Sequence, residues 1–170
     1  MESILFRNVG WAPKPNTLYE AITNLVPDEN LCSSAFVIPF DSDGNIVLSN
    51  VRKRGIDIPG GHVEVIDGVR ETPEQAAIRE AKEECGITVT NLVPIGYRKY
   101  YVPNPPENYR YTTPYSYQVF FTGIVTDYGP VLMPDECGDP HIVQPDLVSS
   151  YRCIRNHKKL FKEAIKHKKR

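Results

Sequence analysis

The chain has 170 residues, 41% of them hydrophobic and 24% charged, which suits one domain with a real core and leaves too little for two. No apolar run reaches the ~18 residues of a membrane span, the acidic Glu2 and the early prolines are unlike a secretory leader, and a cytoplasmic protein is expected. Four scattered cysteines (Cys32, Cys85, Cys137, Cys153) with no CxxC pair argue against a zinc site or a disulfide framework, and the net charge of −1 hides a basic stretch of +8 from Arg152 to Arg170 against −9 elsewhere.

Residues 1–31, rich in Pro and Asn, read as an N-terminal extension packed on a domain spanning 32–170, with a short helix around Thr17 to Leu25. Ser34–Phe40 is apolar and β-prone, the turn Asp41–Asn45 follows, and Ile46–Val51 completes a β-hairpin. A short strand then carries Arg52, Lys53 and Arg54 into the pair Gly60-Gly61. From Pro73 to Cys85 the sequence predicts a helix, with Thr72 as cap, Pro73 at the first position, Gln75 closing a T-x-x-Q box and Gly86 as the stop. Thr88–Tyr101 and Tyr115–Thr126 read as long strands. Four prolines exclude regular structure from the loop between them. A loop from Asp127 to Gln144 precedes a basic terminal helix at about Arg155–His167, whose apolar stripe is Leu160, Phe161, Ala164 and Ile165. Such a tail can bind nucleic acid or simply be a solvated helix face.

The chemistry is concentrated on the Pro73–Cys85 helix. At ~100° per residue, Glu80, Glu83 and Glu84 share one arc, beside a small apolar stripe of Ala77, Ile78, Ala81 and Cys85. Like charges at this spacing destabilise a helix by a few tenths of a kcal/mol per pair, and a hard divalent cation would offset that. Taken alone, three glutamates are equally a solvated surface. The upstream Gly60-Gly61 turn, where a ligand can approach bare backbone, shifts the balance toward a site.

The run from Gly60 to Ile87 resembles the signature of the Nudix hydrolase superfamily, G-x5-E-x7-R-E-U-x-E-E-x-G-U with U aliphatic. Glu71 is followed by seven residues and then by Arg79-Glu80-Ala81-Lys82-Glu83-Glu84-Cys85-Gly86-Ile87, matching every fixed position of that half. The upstream half departs from the pattern: nine residues separate Gly61 from Glu71 where the signature has five, an insertion that enlarges the loop before the helix.

The resemblance implies an α+β fold, a Nudix-like α/β/α sandwich with a mixed β-sheet. It also implies Mg²⁺-dependent (or Mn²⁺-dependent) cleavage of a phosphoanhydride bond in a small-molecule nucleotide. By position, Glu80, Glu83, Glu84 and the Gly60 carbonyl would be the metal ligands. Arg79 and Glu71 would support the helix, and the general base would be Glu80, Glu83 or, from a later loop, Glu136. Arg52 and Arg54 are candidate phosphate contacts. Seven of the ten tyrosines lie between Tyr97 and Tyr117 and read as a substrate wall, including Tyr101. Pro103 stands 16 residues after Ile87, a position at which proline resembles the nucleotide-sugar (ADP-ribose-like) group. Alternatives are a (d)NTP pyrophosphohydrolase, an RNA 5′-end pyrophosphohydrolase using the basic tail, and a non-catalytic nucleotide-binding module. A homodimer is left open.

Overall fold

A computed structural model describes residues 1–168 and, within them, all side chains but those of Arg152 and Cys153. The Cys153 side chain and the last two residues of the basic tail therefore lie outside the described residues. Among the described residues, eleven strands and three α-helices follow in the order β1 Ser3–Arg7, β2 Thr17–Ala21, β3 Cys32–Phe40, β4 Ile46–Val51, β5 Gly55–Asp57, β6 Gly60–His62, β7 Val65–Ile66, β8 Val69–Arg70, α1 Pro73–Cys85, β9 Ile87–Tyr101, β10 Tyr115–Tyr128, β11 Cys137–Val143, α2 Arg152–Arg155 and α3 Lys158–Lys168.

The main sheet runs β1-β2-β9-β10-β3-β4-β11, with β5 added to β4 and β6 to β3. It is mixed, because β3 and β10 are parallel while β9 and β10 are antiparallel. Each face is covered by helix. On one, Ala76, Ala77, Ala81 and Cys85 of α1 pack against Ala35, Val37, Val119 and Phe121. On the other, Leu160, Phe161 and Ala164 of α3 pack against Ile38, Phe40, Ile95 and Phe120. The α/β/α sandwich expected from the sequence is the fold observed.

Helix α1 has the expected boundaries, for local reasons. Gln75 N–H donates to Thr72 Oγ1 at 3.2 Å, and Thr72 N–H donates to Gln75 Oε1 at 2.9 Å, so two otherwise orphaned amides are satisfied reciprocally. Gly86 ends the helix in the left-handed region at φ 66°, and a Cβ there would also run into the backbone of Gly129 and Pro130.

Four expectations are corrected. Thr17–Ala21 is a strand, not the start of a helix: the free edge of β9 pairs residue by residue with Thr17–Ala21, and this tertiary ladder outweighs a weak local preference. Arg52, Lys53 and Arg54 form the turn between β4 and β5 rather than a strand, with Arg54 N–H donating back to Val51 O. The presumed loop Asp127–Gln144 contains β11. Its pairing to β4 shifts register between Gly138 and His141, and only as an edge strand can it carry Pro140.

The terminal helix, finally, expected from about Arg155 to His167, is α3, Lys158–Lys168, and a break at Asn156 and His157 separates it from the short α2 before it. Arg98, 6% exposed, reaches the break between them, donating to the Asn156 carbonyl and to His157 Nε2 (2.9 Å). Its other partner is Glu20 of β2, 3% exposed, at 3.2 Å. This buried ion pair fastens the N-terminal strands and the terminal helices to the same point of β9. Cys32, Cys85 and Cys137 are free, buried thiols, as expected.

Because α3 supplies core rather than decoration, Leu160→Ala is expected to cost about 2–5 kcal/mol by urea denaturation. A loss under about 1 kcal/mol would mean that the helix is dispensable to the fold.

Candidate active site

The Gly60-Gly61 strand sits between β3 and α1. Val37 N–H donates to Pro59 O and Val63 N–H to Ser33 O, each at 3.0 Å, so in this register Phe36 and Gly60 form a non-hydrogen-bonded pair. The Gly60 N–H and C=O therefore both point away from β3. The N–H donates to Glu84 Oε2 at 3.1 Å. The missing side chains are required by space: a Cβ on Gly60 would overlap Phe36, and one on Gly61 would overlap the Glu80 carboxylate. Glu80 thus lies directly against bare backbone.

Arg79 ties these parts together. Its Nε and Nη2 reach the two oxygens of Glu71 at 2.8 and 3.1 Å, and its Nη1 reaches Glu80 at 3.0 Å and Glu83 at 2.9 Å. Nη2 also donates to the His62 carbonyl at 2.9 Å, joining the helix to the strand of the glycine pair. The inserted residues form the exposed hairpin β7–β8, turned at Asp67 (φ 51°) and Gly68 (φ 80°). Below it, Glu71 N–H donates to Glu64 O and Glu64 N–H to Glu71 Oε2, closing the base. The insertion is thereby looped out, and Glu71 stays in reach of Arg79.

The site is strongly anionic. Glu64, Glu71, Glu80, Glu83 and Glu84 gather around two guanidinium groups, Arg79 and Arg54. Burial pushes Glu84 up to about 7, against the pull of the Gly60 amide and Arg54, and burial likewise raises Glu80. Excess carboxylate in a half-dry place fits a hard cation by charge and by donor type. Glu80 and Glu83 are drawn to Arg79 and Glu84 to Gly60, so among the described residues no three such groups converge on one point.

Next to the glycine pair opens a pocket of about 440 Å³. Arg54, Gly60, Gly61 and His62 line it on the side of the glycine strand, Trp11 and Tyr100 line it across the sheet at β9, and Tyr109 and Tyr111 complete the aromatic wall, Tyr111 beside His62. His62 Nε2 and the Tyr111 hydroxyl are 3.0 Å apart, and their rings stack at 5.8 Å. Burial, aided by Arg110, lowers the His62 pKa, which keeps that wall neutral.

The NUDIX domain family model matches residues 31–163. The chain belongs to the Nudix family of pyrophosphohydrolases. Members of this family generally act with a divalent metal ion. Among solved structures, the Nudix fold of this chain is similar to a point mutant of the Bacillus subtilis pyrophosphohydrolase BsRppH, at 21% identity and TM-score 0.61, over 86% of this chain and 90% of that one. It is also similar to a MutT from a study of Aliivibrio salmonicida and Vibrio cholerae, at 23% identity and TM-score 0.52, covering 78% and 93%. A third likeness is the NUDIX domain of Shewanella oneidensis NrtR complexed with ADP ribose, at 16% identity and TM-score 0.56, covering 80% and 87%. No curated protein sequence matches this one. Among the described residues no helix is long and apolar enough to cross a membrane.

Of the residues singled out in the sequence, Glu71, Arg79, Glu80, Glu83, Glu84 and Gly60 come together around the Nudix helix, and Arg54 joins them through Glu84 and Asp57 (3.2 Å). Others do not. Arg52 turns away, its Nε donating to Pro134 O at 3.1 Å. Glu136 accepts the Arg52 amide through its carbonyl, while its exposed side chain joins neither the pocket nor the Arg79 network.

Strand alternation corrects the choice of Tyr101: Tyr100 enters the pocket, whereas Tyr101 faces the opposite way and stacks on Tyr115 at 5.2 Å. Pro103 is likewise not part of the pocket wall. The lining residues that sequence reasoning passed over are Trp11, Ser33, Ser34, Phe36, Ser116 and Gln118, which come from distant segments and have no common motif.

Burial favours a raised Glu71 pKa, yet the Arg79 and Glu64 hydrogen bonds hold it below the ordinary 4.5. The pair therefore stabilises the fold fully above pH 4.5 and ceases to do so as pH falls through the lowered folded value. Glu71→Gln is expected to reduce the urea midpoint at neutral pH and to converge on the parent protein as the pH falls below the lowered folded value. A gap independent of pH would contradict the ion pair.

Proposed function

We propose that this Nudix protein hydrolyses a phosphoanhydride bond in a nucleoside diphosphate joined to a second moiety, a nucleotide sugar of the ADP-ribose kind, with Mg²⁺ or Mn²⁺. The observation that carries this reading is the continuity of two unlike surfaces: the carboxylates around Gly60-Gly61 and the neutral aromatic pocket that begins at the same glycines. One suits a cation and a diphosphate; the other suits an uncharged planar group. The likeness to a domain crystallised with ADP ribose supports the choice of nucleotide sugar.

In this mechanism Glu80, Glu83, Glu84 and the Gly60 carbonyl would hold the cation, which when bound would supply charge neutralisation for the phosphates and Lewis acidity toward water. The Gly60 N–H fixes one oxygen of Glu84 at 3.1 Å and so sets the direction of the other. Arg54, at the pocket rim and 3.4 Å from Glu84, offers its guanidinium to a phosphate oxygen. Glu80 accepts the proton of the attacking water. Its place against Gly61, which lines the pocket, sets it beside the wall where the substrate would lie. Arg79 holds the helix and the glycine strand in register throughout. The basic α3 lies on the opposite face of the sheet from α1 and takes no part.

The test is a hydrolysis screen with Mg²⁺ or Mn²⁺ over nucleotide sugars, (d)NTPs, dinucleoside polyphosphates and 5′-triphosphorylated RNA. A nucleotide sugar is expected to give the highest kcat/KM, releasing a nucleoside monophosphate. Pyrophosphate released from (d)NTPs or RNA as the dominant product would replace the substrate class, and ligand binding without turnover would make the protein a binding module. Glu84→Gln keeps the shape and an acceptor for the Gly60 amide, so it is expected to fold normally while kcat falls on the order of 100-fold or more. Parental turnover in that variant would remove Glu84 from the metal site.

A further inference from the structure

Trp11 is the single tryptophan of the chain, and it is 66% exposed. It lies outside the stretch matched by the family model, in the extension between β1 and β2. Its loop is nevertheless firmly held. The two hydrogens of the buried Asn16 side-chain amide are shared among the carbonyls of Val9, Ala12 and Pro13, at 3.2, 3.1 and 3.0 Å, and its oxygen accepts the Val9 N–H at 2.9 Å. Asn8 and Asn16 close the neck: Asn8 N–H donates to Asn16 O at 2.9 Å and Asn16 N–H to Asn8 Oδ1 at 3.2 Å. One side chain thus ties together three carbonyls and an amide from both arms of the loop, which braces it from within.

This fixed loop does not bury its indole. It holds Trp11 over the aromatic end of the pocket, edge to face with Tyr100 at 5.0 Å and 65°. Tyr109 and Tyr111, themselves in edge contact at 5.4 Å, continue the wall toward His62. The polar groups nearby, Ser34, Ser116 and Gln118, are uncharged, and Gln118 is oriented by the Tyr100 hydroxyl at 3.0 Å. Arg54, on the side of the glycine pair, is the only permanently charged residue among those lining the pocket. A ligand that fills it is anionic at one end and, at the other, flat, uncharged and able to hydrogen-bond.

We infer that Trp11 is a specificity residue whose indole stacks on the nucleobase of the substrate, so that the N-terminal extension reads the base while the glycine strand and its glutamates engage the diphosphate. The diphosphate half of this statement rests on the hydrolase reading above; the stacking half does not.

Being the lone tryptophan, Trp11 is its own probe. Titration of the full-length protein with AMP, GMP, CMP and UMP is expected to quench its fluorescence saturably for at least one of them, while ribose 5-phosphate and inorganic pyrophosphate leave it unchanged. On the best nucleotide substrate, Trp11→Ala is expected to raise KM about tenfold, the effect of losing one base–aromatic stack, with Trp11→Phe recovering most of it. Because the side chain is exposed, thermal unfolding of both variants serves as the folding control. No quenching by any nucleotide, equal quenching by ribose 5-phosphate, or an unchanged KM in Trp11→Ala overturns the inference. If no compound is hydrolysed, the hydrolase reading fails, and the fluorescence titration still decides the role of Trp11.

Discussion

The guanidinium of Arg79 is the fastening on which the rest of the site depends. It is planar and permanently charged, so it can satisfy several acceptors at once in fixed directions, which an ammonium group cannot. Here it takes Glu71 with two parallel hydrogen bonds, Glu80 and Glu83 along its own helix, and the His62 carbonyl from the neighbouring strand. Without it, α1 and the glycine strand would be joined by repelling carboxylates. With it, the excess negative charge that a cation and diphosphate require is held in a folded protein. The same bonds explain why the insertion before the helix is tolerated: the β7–β8 hairpin closes on Glu64 and Glu71, returning the chain to the one position from which Glu71 meets Arg79.

A second fastening serves the opposite face. Arg98 joins Glu20 of the extension to Asn156 and His157 at the break between α2 and α3, and its guanidinium lies over the Phe120 ring at 5.5 Å. Burying such a pair is costly unless every donor is used, and here the donors are shared among a carboxylate, a carbonyl and an imidazole. The consequence is architectural. Residues 1–31, mostly outside the family match, become two strands of the main sheet, and the loop between them delivers Trp11 to the pocket. The stretch matched by the family and the N-terminal strands before it are thereby joined in one sheet.

How much could be read in advance follows the range of the interactions. Helix α1 was legible to the residue because its determinants are local: the Thr72–Gln75 box, Pro73, the spacing of Ala77, Ala81 and Cys85, and the Gly86 stop. The β3–β4 hairpin was legible from its turn. Strand β2 and strand β11 were not, since each is held by pairing to a strand far away in sequence, β9 and β4 respectively. The break after Arg155 was hidden for the same reason, since the group that takes the Asn156 carbonyl sits 58 residues earlier.

The site divides along the same line. The sequence by itself determined the anionic helix, its arginine and the bare glycine pair, because those residues are neighbours along the chain and their spacing on a helix is dictated by backbone geometry. Only the tertiary structure decided which strand tyrosine faces the pocket, that Arg54 rather than Arg52 reaches Glu84, and that Trp11 joins the pocket wall. Those choices depend on strand pleat, turn geometry and the docking of distant segments. Each is set by long-range pairing, of which a linear pattern carries no local trace.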